Sequence, residues 1–267
     1  MKIAYVTMVK DEYDIIYHQL KYYKNIGFKD FYIIDNSSTD GTLDLIKQFI
    51  SENPQLKIYL EIDNEINYWQ YIRINKLANM AYNEGCNWIL PVDADELLFH
   101  NESFTNFNIY DFLNHNIDGD YIKFHWWYYR PNNNDDINEI NPFLKITHRD
   151  IKQQSSQTKI LVKWKNGMQI SQGNHILHNQ ENYKEIIELS YKISYAHFWK
   201  RSLDQERKKM INLGEGYRNL YHNFDTGHFG MYQLYLQNGD NYLKELIEYY
   251  KNENITESFP FKKENFI

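Results

Sequence analysis

A chain of 267 residues carries 29 lysines and arginines against 36 aspartates and glutamates, a formal net charge of -7, which argues against a general nucleic-acid binder. Its length suits one large domain, or one with an appended piece. The single cysteine, Cys86, excludes an intramolecular disulfide and fits a reducing compartment. Acidic residues arrive too early in "MKIAYVTMVKDEYD" for a signal peptide, and no apolar run approaches the roughly 20 residues of a membrane span. The expected setting is the cytoplasm, including the cytoplasmic face of a membrane, where a peripheral contact is open to the protein.

The first hundred residues alternate strand and helix. "IAYVTMV" (3–9) reads as a buried strand. In residues 11–27, Ile16, Leu20 and Tyr23 fall at helical spacing before Gly27. "DFYIIDN" (30–36) is a second strand. "STDGT" reads as a turn and cap, followed by a helix with Leu43, Ile46 and Ile50 as its stripe and Pro54 as its stop. "LKIYLEI" (56–62) alternates as a strand does. Residues 68–85 are helical, with Ile74, Leu77, Ala78 and Ala81 on one face, and "NWILPVD" (87–93) is a fourth strand. Beyond residue 100 the pattern weakens. A short helix is expected within 104–115, strands at 119–131, at 158–166 and before His197, a helix capped by Ser202, and one or two terminal helices within 229–254. The polar run 132–141 is a loop.

Strand alternating with helix predicts a mostly parallel sheet with helices on both sides, whose ligands bind beyond the carboxyl ends of the strands. Three strands deliver polar, mostly acidic groups there: Lys10-Asp11-Glu12, Asp35-Asn36-Ser37-Ser38 and Asp93-Ala94-Asp95. A lone Asp-x-Asp is most often a solvated turn. At the end of the fourth strand it suits a hard cation, Mg²⁺ or Mn²⁺, bridging carboxylate to phosphate. Glu96 then caps or braces the turn. Aromatic residues make up 17% of the chain, and "HWWYYRP" (125–131) is either an acceptor platform using Trp126 and Trp127 or a core strand.

Residues 1–100, through "TMVKDEYDIIYHQLKYYKNIGFKDFYIIDNSSTDGT" and "RINKLANMAYNEGCNWILPVDADELL", resemble the nucleotide-sugar half of a GT-A-fold glycosyltransferase of the family-2-like group with a DADE motif. "GNH" (173–175) and "HFWKRSLDQERKK" (197–209) extend the likeness. The resemblance implies a GT-A fold, Rossmann-like, with three parts: a donor half at 1–100, an acceptor half at 101–201 and a C-terminal helical extension at 202–267. It implies nucleotide contacts at Val9, Asp11, Glu12, Asp35, Arg73, Asp93, Ala94 and Asp95. It implies a metal site of Asp95, Asp93 and His197, with His175 as the other histidine candidate. Lys200 and Arg201 would neutralise the leaving diphosphate. The base is open between His175, Asp204, Glu206 and Glu181, and Arg73 is equally readable as a surface residue.

The activity implied is metal-dependent, inverting transfer from a UDP-linked sugar to a glycan, lipid or protein hydroxyl. A nucleotidyltransferase is the rival enzyme, but "VTMVKDEYD" has no glycine to cradle a triphosphate. A carbohydrate-binding protein would not need the strand-end acids, and a dehydrogenase would need GxGxxG after the first strand.

Overall fold

The computed structural model describes residues 1–65, 67, 69–102, 107–113, 118–218, 227–251 and 255–267. In chain order the elements are β1 (Ile3–Val9), α1 (Ile16–Asn25), β2 (Asp30–Asp35), α2 (Thr42–Glu52), β3 (Lys57–Ile62), α3 (Gln70–Asn83), β4 (Trp88–Pro91) and β5 (Glu96–His100). They continue with α4 (Ile109–Leu113), β6 (Tyr121–Arg130), α5 (Pro142–Lys145), β7 (His148–Asp150), β8 (Gln154–Lys163), α6 (Ile187–Ser190), β9 (Ile193–His197), α7 (Leu203–Arg218), α8 (Gly227–Asn238), α9 (Asp240–Tyr250) and β10 (Thr256–Ser258). The expected α/β sheet with flanking helices is what the chain forms. Tyr68, residues 104–106 and 114–115 of the expected short helix, and 252–254 of the terminal helices lie outside the described residues. No described helix is long and apolar enough to cross a membrane.

The sheet runs β10-β7-β6-β8-β4-β1-β2-β3, with β9 on β6 and β5 on β9. Its β4-β1-β2-β3 half is parallel. Alternation on β1 explains the two cores. Ile3, Tyr5 and Val9 pack on the side of α1 and α2, while Ala4, Val6 and Met8 join Ile74, Leu77, Ala78 and Ala81 of α3. The buried face of α2 is Thr42, Ile46 and Phe49 rather than one carrying Leu43, because Phe49 fills the layer against Phe31. The second half departs from the parallel pattern. β8 pairs antiparallel with β4 and β6, and β5 turns back from the fourth strand to pair antiparallel with β9.

That reversal sets the site. Between β4 and β5 lies a tight turn carrying Asp93, Ala94 and Asp95, and α1 holds it from below. Gln19, fully buried, donates through Nε2 to the carbonyls of Asp93 (2.6 Å) and Glu96 (3.0 Å) and accepts from the Tyr5 hydroxyl (2.6 Å). The Tyr23 hydroxyl donates to the Glu96 carbonyl (3.2 Å) and accepts from the Leu98 amide (2.9 Å). A leucine in place of Gln19 would take one donor from each of these carbonyls and remove the side-chain oxygen that accepts from the buried Tyr5 hydroxyl. Gln19→Leu should therefore lower unfolding free energy by about 2 kcal/mol or more in urea titration. A loss under about 0.5 kcal/mol, the range of an ordinary surface change, would mean that the turn is held elsewhere.

Candidate active site

A cleft of about 520 Å³ opens at the carboxyl ends of β1 and β4. Met8, Val9, Lys10 and Glu12 line it from the first strand end, and Asp93, Ala94 and Asp95 from the fourth. Trp126 and Tyr128 of β6 and Lys159 of β8 form the far wall with Gln172, Gly173 and His175, while His197, Trp199 and Lys209 close the third side.

Asp93 and Glu96 share one cation. Lys159, only 3% exposed, places Nζ 2.6 Å from Asp93 Oδ2, 2.9 Å from Glu96 Oε1 and 2.9 Å from the Gly173 carbonyl. Gln70 and Asn174 donate side-chain amides to Asp93 Oδ1 at 2.7 and 3.0 Å. The Asp93 amide in turn donates to Glu96 Oε2 (3.3 Å), so Glu96 does brace the turn. Burial pushes Glu96 up to about 7, with Lys159 pulling the other way. Burial opposes the charge on Lys159, but Asp93 and Glu96 outweigh it and hold the ammonium well above its ordinary value.

Asp95 has a separate set of partners. Lys209 Nζ lies 2.7 Å from Oδ2, Arg201 Nη1 3.6 Å from Oδ2, and His197 Nε2 3.5 Å from Oδ1. Burial disfavours its charge, yet Lys209, His197 and Arg201 hold the carboxyl well below its ordinary range. Arg201 also binds Glu12 and Asp14, and Gln205 donates to Glu12 Oε2 (3.1 Å). Burial pushes Glu12 up to about 7 against the pull of Arg201. Each cleft acid thus already has a cation from a distant part of the chain.

Among the described residues, no group of three or more His, Cys, Asp or Glu side chains is placed to hold a metal ion. Asp95 Oδ1 and His197 Nε2 are two donors facing one another. Adjacent donors on one cation at roughly 2.1 Å stand about 3 Å apart, close to their separation, and such ions take several ligands from phosphate and water. The pair fits a divalent cation completed from the ligand side. Asp93 does not join it, because both its oxygens are engaged.

Other expected residues are not brought to the cleft wall. Asp204 has an 83% exposed side chain and pairs with Arg207 (2.6 Å). Lys200 is buried against Glu206, which removes both as candidates for free charges. Arg201 is spent on three carboxylates. Trp127 stacks against Arg149, 3.9 Å from its guanidinium carbon, while Trp126 does reach the cleft. Arg73 is closed onto Asp63 and the Glu65 and Asn67 carbonyls. Asp11, at a left-handed φ of 52°, accepts from the Thr39 amide (2.6 Å) and Asn212 (2.9 Å). Asp35 is fully buried; Ser38 donates its amide to Oδ2 (3.0 Å), and Oδ1 is buried with no partner among the described residues. Glu181 lies on an exposed turn.

The residues missed in the sequence are chiefly Lys159, Lys209, Gln70 and Asn174. Gln205, Lys209 and Asn212 recur at helical spacing along one face of α7, a stripe visible in the sequence but indistinguishable there from a solvated face.

The Glycosyl transferase family 2 model matches residues 11–107. That segment is a glycosyltransferase domain, and the chain is an enzyme of the glycosyltransferase class. No curated protein matches the chain. Among solved structures it is similar to S. aureus TarS 1–349 in complex with UDP, at 14% identity over 89% of this chain and 71% of that one, with a TM-score of 0.49. It is also similar to the mannosyltransferase PcManGT from Pyrobaculum calidifontis in complex with GDP-Man and Mn²⁺, at 11% identity over 93% and 73% of the two chains, with a TM-score of 0.45.

Removing Lys159 leaves the fully buried Glu96 beside Asp93 with no cation between them. Lys159→Met should cost about 3 kcal/mol or more in urea unfolding, and Lys159→Met/Glu96→Gln should recover part of that. Burial already makes Glu96 bind its proton more tightly folded than unfolded, and losing the opposing pull of Lys159 strengthens this, so the variant's stability falls more than wild type's as pH rises. The deficit of Lys159→Met should accordingly be smaller near about pH 5 than near about pH 8. A deficit that grows on acidification contradicts the assignment.

Proposed function

We propose that this chain transfers a sugar from a nucleoside-diphosphate donor, UDP-linked, to a hydroxyl of a glycan, lipid-linked or protein acceptor, with inversion and with Mn²⁺ or Mg²⁺ at Asp95 and His197. The observation that carries the reading is the approach of Asp95 Oδ1 to His197 Nε2. These atoms come from residues about a hundred positions apart and face one cleft at the strand ends. The family match over residues 11–107 supports the same reading. Residues 1–100 then form the donor half, 101–201 the acceptor half, and 202–267 an extension that lends Lys209 to the site.

A cation held there would offset the charge that develops on the leaving diphosphate. The chain's own contribution is electrostatic. Lys209, half-buried and held charged beside Asp95, and Lys10, whose Nζ is anchored by the Asn36 carbonyl (2.8 Å), bring positive charge to the donor side of the cleft. Lys159 keeps Asp93 and Glu96 from repelling the diphosphate. Arg201 does the same for Glu12 and Asp14. Trp126, 2% exposed, backs the acceptor side of the cleft by packing against His175 and His197 rather than by offering an open ring face.

Asp95→Asn keeps the shape of the side chain and removes its charge. With UDP at about a hundred times its dissociation constant, wild type should gain about 2.7 kcal/mol of stability, and more with Mn²⁺ than without. Asp95→Asn should lose the Mn²⁺-dependent part. A variant whose thermal shift responds to Mn²⁺ as wild type does would overturn the metal assignment.

A further inference from the structure

We infer that His175 is the base that removes the acceptor hydroxyl's proton, using Nε2, and that the backbone carbonyl of Thr158 fixes the tautomer it needs. The inference rests on the sugar-transfer reading and adds to it the group that activates the acceptor.

The loop that presents His175 is built for one position. Gly173 and Asn174 both have left-handed backbones, with φ of 76° and 61°. A β-carbon on Gly173 would lie 2.6 Å from the Cδ2 and Nε2 atoms of His175, so the imidazole sits directly over a residue that cannot carry a side chain. The Gly173 amide donates to Gln70 Oε1 (2.9 Å) and its carbonyl accepts from Lys159 (2.9 Å). Asn174 donates to Asp93 (3.0 Å). The loop is therefore fastened to the same buried cluster that sets the Asp93 turn.

The ring is fixed as well. Its Nδ1 lies 3.0 Å from the Thr158 carbonyl, and the Thr158 hydroxyl donates to the His175 carbonyl (3.2 Å). A carbonyl oxygen only accepts, so Nδ1 carries the proton of that bond. In the neutral imidazole the lone pair is then on Nε2. Nε2 makes no hydrogen bond among the described residues, and His175 lines the cleft. Trp126 packs over the ring at 5.8 Å between centroids, tilted by 33°. Burial, then the charge of Lys159, pull the histidine below its ordinary pKa, with His197 acting the same way and Asp93 and the Thr158 bond opposing. The neutral form, which a base requires, is the form the site favours.

The carboxylates of the cleft are less suited. Asp93 carries Lys159 and two amides, and Asp95 carries Lys209. Glu12 is basic enough, but its Oε2 already accepts from Arg201 and Gln205 at the end of β1. In the step, the acceptor O–H proton passes to Nε2 and the freed oxygen pair bonds the anomeric carbon. The bond from that carbon to the diphosphate oxygen breaks, its electron pair leaving with the nucleoside diphosphate. The imidazolium then returns its proton to water.

The test measures hydrolysis of UDP-sugars, with water as the acceptor, in wild type, His175→Ala, His175→Gln and Glu12→Gln, with UDP binding and thermal unfolding followed on each. His175→Ala should lose about 10²- to 10⁴-fold in kcat with UDP affinity unchanged, and added imidazole should restore turnover in proportion to its free base. His175→Gln, which keeps bulk and polarity, should be as slow and should gain less from imidazole because its pocket is filled. Near-wild-type turnover in His175→Ala, or a loss that imidazole cannot restore while Glu12→Gln is equally slow, overturns the inference and leaves the sugar-transfer reading standing. A wild type that neither binds UDP nor turns over any UDP-sugar overturns both.

Discussion

One ammonium group, Lys159, closed off from water and shared by Asp93 and Glu96, is the interaction on which the site depends. A carboxylate in a low-dielectric space costs several kcal/mol unless it is paired and hydrogen-bonded, and here two lie side by side at the end of an apolar strand. β8 supplies the counter-charge from across the sheet. The same Nζ binds the Gly173 carbonyl, so the cation also sets the loop that carries His175. Stability and site geometry are joined at this atom. A chain that failed to pair β8 with β4 would have neither.

A second set of cations does the equivalent work on the other side of the turn. Arg201 and Lys209, at the start and in the middle of the C-terminal helical segment, take Glu12, Asp14 and Asp95. Lys208 reaches Asp40 (2.8 Å), and Gln205 the Asp11 carbonyl (2.9 Å). The first strand end, the Asp-x-Asp turn and α7 are thereby tied together by ion pairs and hydrogen bonds. With its acids matched from within, the cleft can meet a doubly charged ligand without first overcoming their repulsion. The cleft presents to it Lys10, the Asp95–His197 pair with Lys209 behind it, and the aromatic wall.

The parallel half was legible because its strands are short apolar runs punctuated by Gly27, Pro54 and Gly85, and because α3 shows its stripe plainly. β5 was not legible. "ELLFH" continues the acidic turn without a break, and its pairing with β9 is a tertiary fact. β7 and β10, of three residues each, carry no period of their own. Within the site, the Asp-x-Asp turn and His197 announced themselves by residue type. Lys159 did not, since a two-residue period puts it with Lys163 on what reads as the solvent face of its strand. Lys200 and Arg201 looked like free cations because their carboxylate partners lie six residues on or at the far end of the chain. Sequence pattern locates charges well and their partners poorly.

Hydrogen–deuterium exchange on the whole chain, with and without UDP and Mn²⁺, tests most directly the claim that a nucleotide sits at these strand ends. Protection should appear together at residues 8–12, 93–97, 172–175 and 197–209, and should weaken in all four when Mn²⁺ is withheld. Protection confined to segments away from the strand ends, such as the α8–α9 region, or no protection at UDP concentrations that shift unfolding, would contradict the account.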